Sequence, residues 1–394
     1  MKIKFFIIAL LLLAAGCNQV HQASEQAVPS KAASAKNGDA NIIATKPTEN
    51  CLDGFALVPG SALYKTPDFC VMKYDAKAVF AADPSIGIQP QPGDPCFGTT
   101  NAYWETRGQP TGTYKNNGTG CQATAENGKE INSVPSGAPI AYIPEVGSGT
   151  NNAVSYCRHM GWHLLTNAEW MTIARNVEQV SANWCNPDGT ACGAAPGTPG
   201  KILANGHNNA QPNSALVASA DDSQACFGTT PDGSKICGHA NSQKRTLQLS
   251  NGQVIWDFAG NVWQWVGGTV RRKDEPQSQT NGKLDSGWLS SEFAPGSASL
   301  GVLDSVIINN GRGLSMGYDS FRPSNPNWNS SNGVGRIFHF SAAADQTSTI
   351  YGFIRGGQWN HGAVDGAFSV HLTPVPSKTN LEDVGFRCVA AVTP

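Results

Sequence analysis

Two short helices are predicted by the spacing of apolar residues in the middle of the chain. Apolar residues recur every three to four positions in Asn151–Met160, which is the pattern of an amphipathic helix. An extended piece follows at Trp162–Leu165. The run Thr166-Asn167-Ala168-Glu169 then has the residue types of a capping box, in which the Thr hydroxyl and the Glu carboxylate bind each other's end amides. We therefore expect a second helix that ends at about Val177.

Strands are predicted on both sides of these helices. Phe69–Lys73 is a short apolar run, and Thr246–Leu249 leads through the turn Ser250–Gly252 into Val254–Val266. The last segment contains three tryptophans, and each buries a large area, so we expect it in the core of a sheet. In contrast, Asp83–Gly149 is rich in Gly, Pro and Asn and predicts long surface loops.

Near the C-terminus, apolar and polar residues alternate from Phe368 onward. This period of two is typical of a half-buried strand. We expect Phe368 and Leu372 to face inward. Ser369, His371 and Thr373 would then face outward, where a ligand could reach them.

The first residues have the organisation of an export signal. Lysines precede the apolar run Phe5–Leu13, which is too short for a comfortable membrane span. Leu13–Cys17 resembles a bacterial lipobox, apart from an alanine where leucine is usual, and predicts a signal peptide at residues 1–16 with lipidation of Cys17. An ordinary cleaved signal is the alternative. Since Asn18 is not aspartate, the resemblance implies the outer membrane rather than inner-membrane retention.

The composition of the chain after the signal peptide indicates a short tether followed by one domain. Residues 17–49 are rich in Ala, Ser, Lys, Asn and Gln without apolar periodicity, so we expect a flexible tether after the lipidated cysteine. Residues 50–394 contain no second linker and no internal repeat, which favours one large, loop-rich domain. Charged residues make up 14% of the chain, the net charge is −2, and no Lys/Arg run is present. These values argue against nucleic acid as a partner.

Cysteine usage agrees with export, because pairing is the default in an oxidising compartment. Of 11 cysteines, Cys17 is the expected lipid site, which leaves an even number, and no CxxC pair indicates a metal site. Connectivity cannot be deduced from sequence alone. Local loops would be closed by Cys51–Cys70, Cys96–Cys121, Cys185–Cys192 and Cys226–Cys237. Cys157 and Cys388 remain, and their pairing would tie the first predicted helix to the last strand.

Four segments resemble the formylglycine-generating-enzyme (sulfatase-modifying factor) family, in the family's order. They are HLLTNAEWMTIAR from His163, WDFAGNVWQW from Trp256, RGGQW from Arg355 and GFRC from Gly385. The resemblance spans about Cys51 to the end and implies an α+β fold of the C-type-lectin type. Such a fold has two helices around a twisted antiparallel sheet, with long irregular loops. In that family a cysteine at the place of Cys157 pairs with the one in GFRC, which supports the Cys157–Cys388 pair.

The resemblance also raises the alternative of a metal-dependent oxidase or a related enzyme. The family's oxidase has two redox-active cysteines shortly after its RGGSW element, but this chain has none between Gly357 and Phe386. The His-rich helical segment of the ergothioneine-type iron branch is also missing from the sequence. Gly313–Gly317 fits GxSxG, but prolines follow where a nucleophile elbow needs a helix. We therefore expect no catalytic residues and no resident metal. Calcium stays open, because family members bind it near the GNVW element, where Asn261 is the candidate.

A narrower and more specific resemblance covers about residues 355–387. The pattern RGGxWNxGxxxGxFxxxLxxxPSxTNxxxxGFR resembles the variable region of lectin-fold proteins that a retroelement diversifies by mutating adenines. Such proteins bind ligands through the changed side chains, while glycines and apolar anchors hold the backbone. The resemblance makes these the candidate ligand-binding residues: Gln358, Trp359, Asn360, His361, Val364, Asp365, Ser369, His371, Thr373, Pro374, Val375, Lys378, Asn380, Leu381, Glu382 and Asp383.

Together these features predict a lipid-anchored outer-membrane protein, displayed at the cell surface, that binds a ligand without doing chemistry. The expected partner is a protein or glycan on another cell surface, and the chain is expected to be a monomer. Its contact with the membrane is the lipid. Two alternatives stay open: the oxidase-like enzyme, and a structural envelope lipoprotein with no ligand.

Overall fold

The computed structural model describes residues 50–80, 83–87, 129–141, 143–147, 152–230, 235–271, 288–293, 318–340, 350–378, 381 and 383–393. Several expectations lie outside these residues: the signal peptide, the lipidated Cys17, the tether, the Cys96–Cys121 pair, Gly313–Gly317, Asn380 and Glu382. Among the described helices, none is long and apolar enough to cross a membrane.

The described part of the chain contains two α-helices among seventeen short strands. The helices are α1 (Ala153–His159) and α2 (Asn167–Val177). The strands are β1 (Phe55–Val58), β2 (Phe69–Met72), β3 (Lys77–Phe80), β4 (Asp83–Gly87), β5 (Lys129–Asn132), β6 (His163–Leu164), β7 (Trp184–Cys185), β8 (Ile202–Leu203), β9 (Thr246–Gln248), β10 (Val254–Trp256), β11 (Trp263–Arg271), β12 (Trp288–Ser291), β13 (Ile337–Phe340), β14 (Ile350–Gly356), β15 (Gly366–His371), β16 (Val384–Phe386) and β17 (Cys388–Ala390).

Both predicted helices are confirmed, with their caps. Asn152 caps α1 by accepting a hydrogen bond from the Ser155 N–H at 2.8 Å. At the start of α2, the Thr166 hydroxyl accepts from the Glu169 N–H, and the Glu169 carboxylate accepts from the Thr166 N–H at 2.9 Å. This reciprocal pair satisfies amides that an uncapped helix would leave without partners. The helix then packs Trp170 and other apolar residues into the core.

A six-stranded sheet in the order β12-β13-β15-β14-β11-β16 is the centre of the domain. Neighbouring residues along its strands enter different apolar clusters: Phe353 and Val266 pack with Trp170, whereas Ile354 and Trp265 pack with Tyr156. Since successive side chains of a strand point to opposite faces, the sheet has a core on each face. The fold is therefore α+β, with two helices and several antiparallel sheets, as the family resemblance implies.

The half-buried strand predicted at Phe368–Thr373 is only partly right. Phe368 and Leu372 are buried, as expected, but so is Ser369 in β15. The Ser369 hydroxyl donates to the Val364 carbonyl at 3.1 Å and accepts from the Arg336 N–H at 3.4 Å. The physical reason is that β15 lies between β13 and β14, inside a sheet that is covered on both faces.

The prediction of long surface loops over Asp83–Gly149 is wrong for much of the part described there, because most residues between 129 and 145 are buried. The strands β4 and β5 pair with β3, and Ile131, Ile140 and Ile143 are buried in the same cluster as the cysteine of α1. The Gly- and Pro-rich composition hid these isoleucines, because they are too widely spaced to form a periodic pattern.

Four disulfide bonds are present among the described residues, and all four match expected pairs. They are Cys51–Cys70, Cys157–Cys388, Cys185–Cys192 and Cys226–Cys237. The pair Cys157–Cys388 joins α1 to β17, which lies in a second sheet of order β1-β2-β17-β6. This bond therefore connects the first helix with the end of the chain that carries the candidate site.

Candidate functional site

Eight of the candidate ligand-binding residues line one cavity of about 250 Å³. We call it the C-terminal cavity. The eight residues are Gln358, His361, His371, Thr373, Pro374, Lys378, Leu381 and Asp383. Three further residues complete the lining: Trp263, Ile354 and Val384. The sequence motif thus becomes a single concave surface when the chain folds.

The cavity forms where three consecutive segments meet at one end of the sheet. Gln358 and His361 follow β14, His371 and Thr373 lie at the end of β15, and Asp383 directly precedes β16. The strand β11 pairs with both β14 and β16 and brings their ends together. The Trp263 N–H of β11 donates to the Asp383 carbonyl at 2.7 Å, which fixes the entry to β16.

The segments around the cavity are held by backbone hydrogen bonds to neighbouring loops. The Pro376 carbonyl accepts from the Glu145 and Val146 N–H groups at 2.8 and 3.2 Å. On the other side, the Trp359 carbonyl accepts from the Ala210 N–H at 2.7 Å. Because these contacts use main-chain atoms, they do not depend on the side chains that face the cavity.

An aromatic cluster forms one wall of the cavity. The Trp263 ring meets the rings of His361 and His371 edge to face, each at 5.7 Å between centroids. The His371 ring stacks on Phe338 at 5.3 Å with an interplanar angle of 10°. Thr373 Oγ1 lies 2.9 Å from His371 Nδ1, within hydrogen-bond distance. Burial, with His361, Lys378 and His339 nearby, lowers the pKa of His371 to about 3, so this imidazole is neutral at physiological pH.

Asp365 lies behind the cavity wall, fully buried. One carboxylate oxygen accepts from the Gln358 N–H at 2.9 Å, and the other lies 3.4 Å from His361 Nδ1. The backbone at Gly357 passes directly over this carboxyl group, so a Cβ there would lie 2.1 Å from Asp365 Cγ. Gly357 also has a φ of +96°, which disfavours other residues. The second glycine of the RGG element is therefore needed for both conformation and space.

The two pKa directions in this pair point to different protonation states. Burial lowers the pKa of His361, but its close contact with Asp365 and the charges of Asp365 and Asp383 outweigh burial and leave the pKa raised. Burial also raises the pKa of Asp365, against the opposing effect of His361. We favour the ion pair, because within the described residues neither His361 Nδ1 nor Asp365 Oδ1 has a hydrogen-bond partner, and each faces the other.

Three candidates are buried where a ligand could not reach their side chains, so their assignment as contacts is corrected. Asp365 lies under Gly357, Ser369 lies inside the sheet, and Trp359 packs against Ala141 and Val262. The sequence pattern could not separate these positions from contacts, because it assumed one exposed face. Asn360, Val364 and Val375 are at least partly exposed but lie outside the cavity lining.

Trp263 is a site residue that the sequence analysis placed only in the core. Its ring is buried, yet one part of it lines the C-terminal cavity. Its place along the chain gave no signal of this role, because the pairing of β11 with β14 that brings it to the RGG element is seen only in the folded chain. Ile354 and Val384 were missed for the same reason, since each is an apolar strand residue at the cavity end of its strand.

Asn261 does not fit the calcium expectation. Its side chain is buried, its Oδ1 accepts from the Leu216 N–H at 2.7 Å, and its amide donates to Asp75 at 3.3 Å. Asp75 in turn pairs with Arg387 at 2.8 Å. Calcium needs six to eight oxygen ligands, usually including carboxylates. Here the nearby carboxylate already neutralises an arginine, so Asn261 has a structural role.

A larger cavity, of about 710 Å³, lies near the start of α2 and contains none of the candidate residues. Its acidic group already has partners: Glu169 binds the backbone of Thr166 and lies 2.8 Å from His163. These contacts form the helix cap, so we assign the candidate site to the smaller cavity.

The α+β fold, the Trp-rich strand and the paired glycines before the cavity define a protein of the C-type-lectin-like, formylglycine-generating-enzyme type. Residues 97–392 match the family model of the sulfatase-modifying factor enzyme 1-like domain. This is well over half of the 394-residue chain, and the protein belongs to that family. Among curated proteins, none matches the sequence.

The C-terminal cavity does not offer the pair of redox-active cysteines that the family's oxidase uses. The lining of the C-terminal cavity contains two histidines and one aspartate but no cysteine. Across the described residues, no group of three or more His, Cys, Asp or Glu side chains is placed to hold a metal ion. We therefore derive no reaction step through a metal.

Proposed function

We propose that this protein binds a ligand through the C-terminal cavity and carries out no chemistry there. The observation that supports this most directly is the convergence of eight candidate residues on one cavity. They come from three separate segments, and each segment is held by buried anchors or main-chain bonds. Such an arrangement allows the exposed side chains to change while the scaffold keeps its shape.

The size and lining of the cavity limit what it can receive. A volume of about 250 Å³ is below the usual range for a drug-sized ligand and suits one side chain or one sugar ring. Its wall combines apolar surface from Trp263 and Leu381 with charge from Lys378 and Asp383. We infer that the cavity holds one anchoring group of a larger ligand, a protein or a glycan on another cell surface.

The proposal extends to the cellular setting. We propose that Cys17 carries a lipid, that residues 17–49 lift the domain from the outer membrane, and that a retroelement diversified residues 355–387. Support for this comes from the lipobox-like segment, the tether composition and the long variable-region pattern. Sequencing of the flanking DNA tests the diversification. A near-copy of this segment, differing almost only at adenines and lying beside a reverse transcriptase gene, is the expected result.

A binding screen tests the ligand function. Purified protein would be applied to a printed array of glycans and to a peptide library displayed on phage. The informative variant is Leu381→Trp, which narrows the cavity, and the matched control is Leu63→Trp, at an exposed position outside it. We expect captured ligands to lose binding to Leu381→Trp only. Equal binding to both variants would contradict the site, and copper-dependent oxidation of a cysteine-containing peptide would favour the oxidase alternative.

A further inference from the structure

Asp365 and His361 form a pair in which one member is buried and the other reaches the cavity. Asp365 is fully buried, whereas the side chain of His361 is 22% exposed and lines the C-terminal cavity. The two residues are four positions apart and border a short 3-10 turn, Gly362–Val364. Both were candidate contact residues, but only His361 is placed to touch a ligand.

The contact with Asp365 determines which edge of the imidazole faces the cavity. His361 Nδ1 is buried and lies 3.4 Å from Asp365 Oδ1. The exposed part of the side chain must therefore be the opposite edge of the ring, which carries Nε2. A carboxylate beside Nδ1 places a proton on Nδ1, so Nε2 is an acceptor in the neutral ring and a donor in the charged ring.

We propose that Asp365 is a positioning residue that presents His361 Nε2 to the cavity and makes ligand binding depend on protonation of His361. This rests on the proposed function, because the exposed edge matters only if the cavity receives a ligand. A ligand group that accepts a hydrogen bond, such as a carboxylate, carbonyl or hydroxyl oxygen, would bind best to the protonated ring. Its affinity would fall as the pH rises through the pKa of His361.

The other charged and titratable groups around the pair do not cancel the rise in the pKa of His361. They are Asp383 before β16, His371 on β15, Lys378 in the cavity lining, and His339 on β13, which acts on His371. Asp383 favours the protonated form of His361, as Asp365 does. Among the described residues, Asp365 is the one carboxylate that also comes within ion-pair distance of the His361 ring.

The test measures protonation of His361 directly, without a ligand. Purified protein would be treated with diethyl pyrocarbonate, which reacts with neutral imidazole, at a series of pH values, and tandem mass spectrometry would follow His361. The exposed His239 serves as the reference in the same sample. We expect the midpoint for His361 to lie above that for His239. In Asp365→Asn it should fall by about one pH unit or more, since an opposite charge at this distance shifts a pKa by that amount.

Asp383→Asn is the matched control, because it removes a carboxylate that borders the same cavity without touching the ring's buried nitrogen. A smaller fall in this variant than in Asp365→Asn supports the proposal. An unchanged midpoint in folded Asp365→Asn, or an equal fall in both variants, overturns it. If Asp365→Asn does not fold, the native protein decides: a His361 midpoint at or below that of His239 overturns the proposal. A failed ligand screen would contradict the proposed function but would not change the measured midpoints. Equal midpoints for His361 and His239 would overturn the role of Asp365 but would not contradict ligand binding at the cavity.

Discussion

One arginine in each of the GFRC and RGG elements makes hydrogen bonds to distant segments in the interior of the protein. Arg387, from the GFRC element, is fully buried and binds Asp75, the Gln264 side chain and the Met72 carbonyl at 2.8 to 3.0 Å. Arg355, from the RGG element, is also buried and donates to Asn167 and to the Ser320 carbonyl, each at 2.8 Å. These arginines are structural connectors, because a buried guanidinium is tolerated only when its donors are satisfied.

Loss of the Asp75 charge should destabilise the protein strongly. Asp75→Asn leaves Arg387 buried without its counter-charge, and breaking such a pair typically costs about 3–5 kcal/mol. Urea denaturation of the purified protein would measure the free energy of unfolding. Lys73→Met is the control, because the Lys73–Asp222 pair is partly exposed and should contribute about 1 kcal/mol or less. Similar losses in the two variants would contradict the structural role of Arg387.

Glu145 should make stability depend on pH. It is buried, one of its carboxylate oxygens has no hydrogen-bond partner among the described residues, and burial, only partly offset by the Gly268 N–H, raises its pKa to about 8. Between the unfolded pKa of roughly 4.3 and this folded value, the unfolded chain releases the proton first. Stability therefore falls as the pH rises through this window, by about 1.4 kcal/mol per pH unit.

Glu145→Gln removes this dependence, because glutamine does not ionise. Urea denaturation at pH 5 and pH 8 should show that the stability of the variant, relative to the native protein, improves by up to about 4 kcal/mol across this interval. Asp319→Asn is the control, because the side chain of Asp319 is half-exposed in its ion pairs. The stability of this variant relative to the native protein should change little between pH 5 and pH 8. If the stability of the native protein and of Glu145→Gln changed with pH in parallel, Glu145 would not be the cause of the pH dependence.

At the scale of elements, a short sequence pattern predicted the structure correctly when its residues have a specific local role, such as capping a helix or forming a turn. The capping box of α2 and the hairpin of β9 and β10 were predicted from short stretches, and both are present. The strand β15 was misjudged because its second face is covered by loop residues around Gly335, distant in sequence. Alternation reveals the period of a strand, but it cannot show what packs against each face.

Two glycines in the loop after β14 allow the cost of a steric clash to be measured separately from the cost of an unfavourable backbone conformation. Gly357 and Gly362 both have positive φ, but a Cβ at Gly357 would clash with Asp365. At Gly362, apart from its chain neighbours, no atom of the described residues lies within 4 Å of such a Cβ. Gly362→Ala should cost about 1–2 kcal/mol, for the left-handed conformation alone. Gly357→Ala should cost clearly more, because Asp365 must also move. Thermal or urea denaturation of both variants would measure the difference, and equal losses would contradict the close approach.

For the whole molecule, the sequence and its family resemblance could predict the fold class, the segment of the candidate site and eight of the eleven residues that line the C-terminal cavity, but only half of the sixteen candidate residues line it. The segment was predictable because the glycines and apolar anchors of residues 355–387 are regularly placed. The cavity was not, because it also needs Trp263 from β11 and the ends of two other strands. Long-range pairing decides which side chains converge, and one local pattern does not encode it.

The disulfide bonds should contribute unequally to the stability of the molecule. Cys157–Cys388 spans 231 residues of sequence and joins two buried positions, whereas Cys185–Cys192 spans 7. In the chain-entropy model the long loop is worth about 5.5 kcal/mol and the short one about 2.5 kcal/mol. Replacing each pair by two serines and measuring the free energy of unfolding tests this order. A larger loss from the short loop would mean that local strain or residual structure in the unfolded chain, and not loop length, determines the contribution.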